Sequence, residues 1–330
     1  MRYEIPGGFS TLPSVVVLGG GHGMAANLTA LRRVTDRLAA VVTVADDGGS
    51  SGRLRDELDC LPPGDLRMAL AALCGDDPAG RQWADVLQYR FDSTGSLAGH
   101  PIGNLLIAGL WQRVGNPVDG LDQLAELIGA RGRVLPMANQ PLAIEADVIG
   151  GDPEHPDDVA QVVGQVAVAS TTGDIDAIRL VPDEPRACAE AVTEVLDADW
   201  VILGPGSWFT SVLPHLMVPE LAEALCATSA KRVLTLNLSP TEDETPGFTA
   251  ARHIELVAEH APQLRFDVVL ADRSFAEGDR HIGSYAASLG AELVVSDMVM
   301  RDGTARHHPL RLASAYSEIM TGPGDALTGF

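Results

Sequence analysis

Hydrophobic and polar positions fall in blocks along this chain, and the blocks set the expected architecture. A β-branched run at 15–18 (VVVL) ends directly in glycines and reads as a buried parallel strand. Residues 24–34 follow with Met24, Leu28 and Leu31 at helical spacing and no proline, and 38–44 (LAAVVTV) is a second buried run. Strand, glycine loop, helix and strand in that order make the βαβ unit of a doubly wound sheet. Pro62 and Pro63 mark a turn before a helix at 64–73, and a further apolar helix occupies 101–110. The texture changes over about 131–182, where VLPMA, LAIEADVIG, VVGQVAVAS and DAIRLV are short strand-like runs separated by Gly, Pro and Asp. These predict an inserted β-rich lobe within a single α/β domain spanning 1–330. The α/β rhythm then resumes, with helices at 190–196 and 219–229 and strands at 200–203, 233–236, 268–270 and 293–295. Residues 321–330 (TGPGDALTGF) read as a mobile tail. The expected fold class is α/β, with a mostly parallel, doubly wound sheet.

Composition narrows the partners. With 46% hydrophobic residues in 330, the chain can bury one large core. Its 23 Lys and Arg against 45 Asp and Glu give a formal charge of −22, a field that repels phosphodiester backbones and anionic membrane surfaces. Nucleic acid and membrane insertion are therefore excluded as expectations, and an anionic ligand has to be held by local donors. Cys60, Cys74, Cys188 and Cys226 form no CxxC pair, which argues against structural zinc or a disulfide framework. The first residues lack the charged and apolar regions of a signal peptide, and the apolar stretch at 105–111 is too short to span a bilayer. The expected location is the cytoplasm.

Five constellations carry the candidate chemistry. Gly19, Gly20, Gly21, His22 and Gly23 follow the first strand, where glycines let backbone N–H groups and a helix N-terminus approach a phosphate. No Gly-Lys-Ser/Thr follows, and the spacing departs from GxGxxG, so a ligand-free tight turn is the competing reading. His22 either contacts the phosphate or faces solvent. Asp46 and Asp47 follow the second strand within ADDGGSSGR. They fit a divalent cation such as Mg²⁺ bound through oxygen, hydrogen bonds to ligand hydroxyls, or an acidic loop that caps the next helix. Asp65 and Arg67 form either an ion pair or a ligand contact. Asn104, on the first turn of the helix that follows His100, can face the cleft. Gly204, Gly206 and Ser207, with Thr210 and Ser211, make a second glycine loop after a strand and a second anion cradle. Two such loops suggest a ligand with separated polar ends, such as a nucleotide sugar. Hydrolase signatures GxSxG and HExxH are missing, and the pair His307-His308 with Asp297 and Asp302 reads as solvent-exposed.

The segments VVVLGGGHG, VTVADDGGSSGRLR, PPGDLR, YRF, LAGHPIGNLL and LGPGSWFTSVLP occur in this order over about 14–215, with weaker similarity to about 315. In them the chain resembles the YvcK-type gluconeogenesis factors of bacteria, a family related to CofD, the 2-phospho-L-lactate transferase of deazaflavin coenzyme synthesis. The resemblance implies a Rossmann-like fold. It also implies binding of a UDP-sugar, chiefly UDP-N-acetylglucosamine, and a role in cell shape and cell-wall metabolism on gluconeogenic carbon sources. Carried over by motif position, the nucleotide site comprises Gly19 to Gly23, Asp46, Asp47, Gly204, Gly206 and Ser207. Tyr285 and Arg306 look similar to positions tied to sugar-nucleotide binding. The expected partners are a UDP-sugar or related nucleotide and regulatory proteins of the cell wall, with a homo-oligomer left open. No organic cofactor is implied, and Mg²⁺ on Asp46 and Asp47 would accompany the nucleotide. The sequence departs from the family's usual Thr at His22, from its Asn at Met68, and from a TQPGET-like stretch at 239–245 (SPTEDET). No complete nucleophile and base pair is evident, so a ligand-sensing regulator without turnover is expected. The alternative is a Mg²⁺-dependent, CofD-like transferase of a phospho-organic group. The glycine spacing argues against a dinucleotide oxidoreductase.

Overall fold

A short run that is apolar at every position can be covered only when both faces of its strand are buried. The computed structural model, which describes residues 12–151, 158–238, 248–302 and 304–322, satisfies this with a layer of helices on a parallel sheet. Its ten strands are β1 (Ser14–Gly19), β2 (Arg37–Val42), β3 (Arg133–Pro136), β4 (Ala143–Ile149), β5 (Val159–Val163), β6 (Asp174–Val181), β7 (Trp200–Leu203), β8 (Lys231–Thr235), β9 (Val268–Asp272) and β10 (Glu292–Ser296). Seven of them form one sheet in the order β10-β9-β8-β7-β1-β2-β3, every pair parallel. β1 lies inside the sheet, with Leu18 opposite Val41 of β2 on one side and Leu203 of β7 on the other. The chain winds outward from β1 through β2 to β3, then returns beside β1 as β7 and winds the other way to β10. That reversal is the switch point of a doubly wound, Rossmann-like sheet, where connections leave to opposite faces and a crevice opens beyond the strand ends.

The lobe expected between the two halves divides differently. The VLPMA run pairs with β2 as β3 and closes the edge of the main sheet. The small antiparallel sheet is β5-β4-β6. β4 alternates, turning Ile144, Ala146 and Val148 inward. The run VVGQVAVAS is not one strand. Gly164, at φ +99°, ends β5 while its N–H donates to Ile144 at 2.8 Å, and the chain then turns into a short helix, Gln165–Ala169. Helices not read from the pattern include Gly49–Leu58, Pro78–Gln88, Pro117–Ile128, Ala250–His260 and Pro309–Thr321. Two of them carry plain start signals. Asp77 and Asn116 each accept first-turn N–H groups ahead of a proline. Thr321 is the last residue of its helix, and the expected tail from 323 onward lies outside the described residues, as does the stretch 239–245. Among the described residues no helix is long and apolar enough to cross a membrane.

One buried polar chain ties the two halves together behind the crevice. Tyr316, fully buried on the helix Pro309–Thr321, donates to Asn27 Oδ1 at 2.6 Å. That proton is thereby used, so the 2.9 Å contact with Thr235 is a bond from the Thr235 hydroxyl to the Tyr316 oxygen. Asn27 then donates from Nδ2 to the Gly204 carbonyl at 2.5 Å. Burial pushes the Tyr316 phenol well above its ordinary value. Asn27→Ala leaves the Tyr316 hydroxyl and the Gly204 carbonyl buried without this partner and is expected to cost about 3 kcal/mol, against about 1.5 for Tyr316→Phe. Because both touch one chain of bonds, the double variant should cost less than the sum when all three are compared by urea denaturation.

Candidate functional site

Beyond the carboxyl ends of β1 and β7 lies a cleft of about 580 Å³. Its floor is made by two glycine loops in direct backbone contact. A methyl group on Gly23 would overlap the Pro205 carbonyl oxygen, so only glycine admits this approach. Gly20 is equally confined, since a Cβ there would meet the Asp65 carboxylate and the Thr43 methyl at 2.6 Å. Gly21 is the opposite case: its φ of +56° favours glycine, and nothing lies within 4 Å of the position its side chain would take. The helix Gly21–Leu31 starts here with no side-chain cap. Its first-turn N–H groups at His22 and Gly23 therefore face the cleft with the positive end of the helix dipole. The Gly21 N–H is used by Asp65. His22 is exposed at the cleft mouth.

The second loop contributes shape more than amide donors. The Gly204 N–H is donated to Leu18 at 3.1 Å, and Gly206 is clasped by Asn237, which accepts its N–H at 3.0 Å and donates to its carbonyl at 2.9 Å. Ser207 and Ser211 present hydroxyls to the cleft, with Ser207 paired to Thr210. The chain continues through a wide turn, Trp208–Val212, in which the Ser211 and Val212 N–H groups both reach the Ser207 carbonyl.

The acidic residues separate into two roles. Asp65, half-buried at the start of the helix Gly64–Leu73, lines the cleft. Burial and then the neighbouring Asp46 push its carboxyl up to about 7, against the pull of the Gly21 N–H and Arg67. Asp46 accepts the Gly48 N–H at 2.9 Å and stands beside Asp65. Arg67 is buried beneath them and is brought down to about 10, first by burial and then by Arg90. Asp47 turns away from the cleft. Its carboxylate accepts the Val166 N–H at 3.1 Å and leaves no room for a side chain at Gly164, so it fastens the small lobe to the strand end. Among the described residues no group of three or more His, Cys, Asp or Glu is placed to hold a metal ion. The Asp46–Asp65 pair nevertheless suits Mg²⁺, which is commonly held by one or two carboxylates with the remaining ligands supplied by phosphate and water.

Of the residues named from sequence, the cleft thus gathers Gly20, Gly21, His22, Gly23, Gly206, Ser207 and Arg306. Gly19 and Gly204 shape the loops behind it. Asn104 is buried elsewhere, donating at 2.9 Å to Ser50, whose hydroxyl meets His100 Nδ1 at 2.7 Å. Tyr285 is half-buried against the core on the helix Ile282–Ser288 and does not line the cleft. Arg306 is exposed along the far wall. His307 and His308, expected in solvent, are instead half-buried, because the backbone bonds from Met300 to Arg306 and from His308 to Met298 fold this segment back. His307 lines the cleft, and burial lowers it to about 4, opposed by Asp272. Met68, Gln165, Asn237 and His307 are among the lining residues not singled out from sequence as ligand contacts, and Asp65, read there as an ion pair or a ligand contact, lines the cleft. For Asp65 the signal was present, a Gly-Asp pair opening a helix after two prolines. For Gln165 there was none.

Comparison with known proteins places the chain in a lineage. Residues 15–308 match the family described as "2-phospho-L-lactate transferase CofD". A protein of Mycobacterium tuberculosis (strain H37Rv) named "Putative gluconeogenesis factor" is 52% identical over 308 residues, covering 92% of this chain and 90% of that protein. The "Gluconeogenesis factor" of Listeria innocua is 35% identical over 316 residues, covering 92% and 95%. A crystal structure of a UPF0052 family protein from Bacillus halodurans superposes with a TM-score of 0.80 at 31% identity, covering 93% of this chain and 99% of that one.

A carboxyl whose pKa rises from about 4 unfolded to about 7 folded takes up a proton on folding across that interval. The contribution of Asp65 to stability is thus fully present below about pH 4 and lost as pH rises through about 7. Asp65→Asn removes this dependence. Its urea midpoint is expected to match that of the native protein near pH 4 and to exceed it near pH 8.

Proposed function

This chain belongs to the CofD family, in the branch of the bacterial gluconeogenesis factors, and on that premise we propose that its cleft binds a nucleoside diphosphate sugar, chiefly UDP-N-acetylglucosamine. In this role it acts in the cytoplasm as a regulator of cell shape and cell-wall metabolism during growth on gluconeogenic carbon sources. The observation that carries the reading is the pairing, in one cleft, of the first-turn N–H groups of His22 and Gly23 with the exposed Arg306. In a chain of formal charge −22 these local donors are what a diphosphate requires. The ribose hydroxyls suit the Ser207 and Ser211 side of the floor.

The Asp46–Asp65 pair favours a second reading, a CofD-like transferase that moves a phospho-organic group from a nucleotide-activated donor to a hydroxyl. Mg²⁺ held by these two carboxylates would neutralise charge on the transferring phosphate. The neighbouring glycine loop would orient the donor through its N–H groups, and Asp47, committed to the lobe, would keep the wall of the cleft in place.

Calorimetric titration with UDP-N-acetylglucosamine should give saturable binding to the native protein and at least tenfold weaker binding to Gly21→Asp, which sets a carboxylate where the phosphates would lie. Absence of binding by the native protein sinks this reading. The transferase reading expects Mg²⁺-dependent consumption of the donor nucleotide with a deazaflavin acceptor, abolished in Asp65→Asn. Donor that stays intact across hydroxyl acceptors counts against it.

A further inference from the structure

Arg306 and Gln165 both line the cleft and offer a ligand opposite chemistry. Arg306 carries a cation. Gln165 opens the small-lobe helix Gln165–Ala169, which Asp47 fastens through the Val166 N–H. The carboxamide oxygen of Gln165 is buried and has no hydrogen-bond partner among the described residues. A buried acceptor left unmatched is costly, and such an atom in a cleft marks where a ligand donor belongs.

Phosphate has only acceptor oxygens when ionised, so it gains nothing from a carboxamide oxygen and is repelled by the adjacent carboxylates. A hydroxyl or an amide N–H gains from both. The cleft thus offers both kinds of partner: the His22 and Gly23 N–H groups and the Arg306 cation as donors, and the Asp65 carboxylate at the glycine loop and the Gln165 oxygen at the lobe helix as acceptors. We propose that Gln165 is the residue by which the small lobe reads the hydroxyl- and amide-bearing end of a nucleoside diphosphate ligand, accepting a hydrogen bond from it and so setting the preference for a sugar-bearing nucleotide over the bare diphosphate. Asp47 positions this contact without touching the ligand. The inference rests on the nucleotide-sugar reading above and specifies which chain element discriminates within it.

Titration calorimetry of the native protein and of Gln165→Leu with two probes, UDP-N-acetylglucosamine and UDP, tests it. The expected result is about a tenfold loss of affinity for the sugar nucleotide with less than a twofold change for UDP. The unchanged UDP affinity also serves as the check that Gln165→Leu is folded. Equal losses for both probes, or no loss for either, overturn the assignment of Gln165 while leaving the nucleotide reading standing. Native protein that fails to bind the sugar nucleotide overturns that reading and this inference together.

Discussion

Two peptide backbones can touch only where neither carries a side chain between them, and the meeting of Gly23 with the Pro205 carbonyl is such a contact. The candidate site is arranged around it. Parallel pairing of β1 with β7 brings the two strand ends side by side, and the glycines let the loops that leave them cross without pushing the strands apart. The close approach also brings Gly206 within reach of Asn237, and Gly20 against Asp65. A bulkier residue at either of these glycines would displace the loop and with it the carboxylates and hydroxyls that line the cleft.

Electrostatics gives the cleft its character. In a chain so acidic, the cleft sets a helix start without a side-chain cap beside one exposed arginine. The acidic pair beneath them works in the other direction. Asp46 and Asp65 are close enough that one raises the proton affinity of the other, which makes the local charge responsive near neutrality. Arg67, buried under both, limits that rise without cancelling it. The cleft therefore holds donors and acceptors side by side within about 580 Å³.

Much of this was legible in the residues. The run VVVL followed by glycines located β1 and its loop, and WVIL followed by Gly204 located β7 and the second one, because buried parallel strands and close backbone approach leave unmistakable compositions. Other features depend on contacts distant in sequence. Asp47 sits next to Asp46 and has the same chemistry, yet its carboxylate is spent on Val166, which lies 119 positions away. Asn104 reads as a cleft residue from its place on a helix start, but the burial of that turn against Ser50 decides otherwise. Gln165 sits in a run of valines that suggests a strand, and only the positive φ of Gly164 breaks that run and turns the carboxamide inward. His307 looks solvent-borne in a polar stretch because the fold-back that buries it is made by backbone bonds, which no side chain announces.

The buried chain from Thr235 through Tyr316 to Asn27 and Gly204 spans 289 positions between Tyr316 and Asn27. Its members include the first helix after β1 and the helix Pro309–Thr321, the last that is described. A ribosome releases the second long after the first. The amino-terminal glycine loop can fold early, yet the Asn27 carboxamide oxygen and the Thr235 hydroxyl acquire their Tyr316 partner only when the helix Pro309–Thr321 docks. Arg306, directly ahead of that helix, arrives at the same moment. A nascent chain that stops short of this helix thus lacks Ala305, Arg306 and His307 from the cleft lining, and the cleft takes its described form only once the helix has docked.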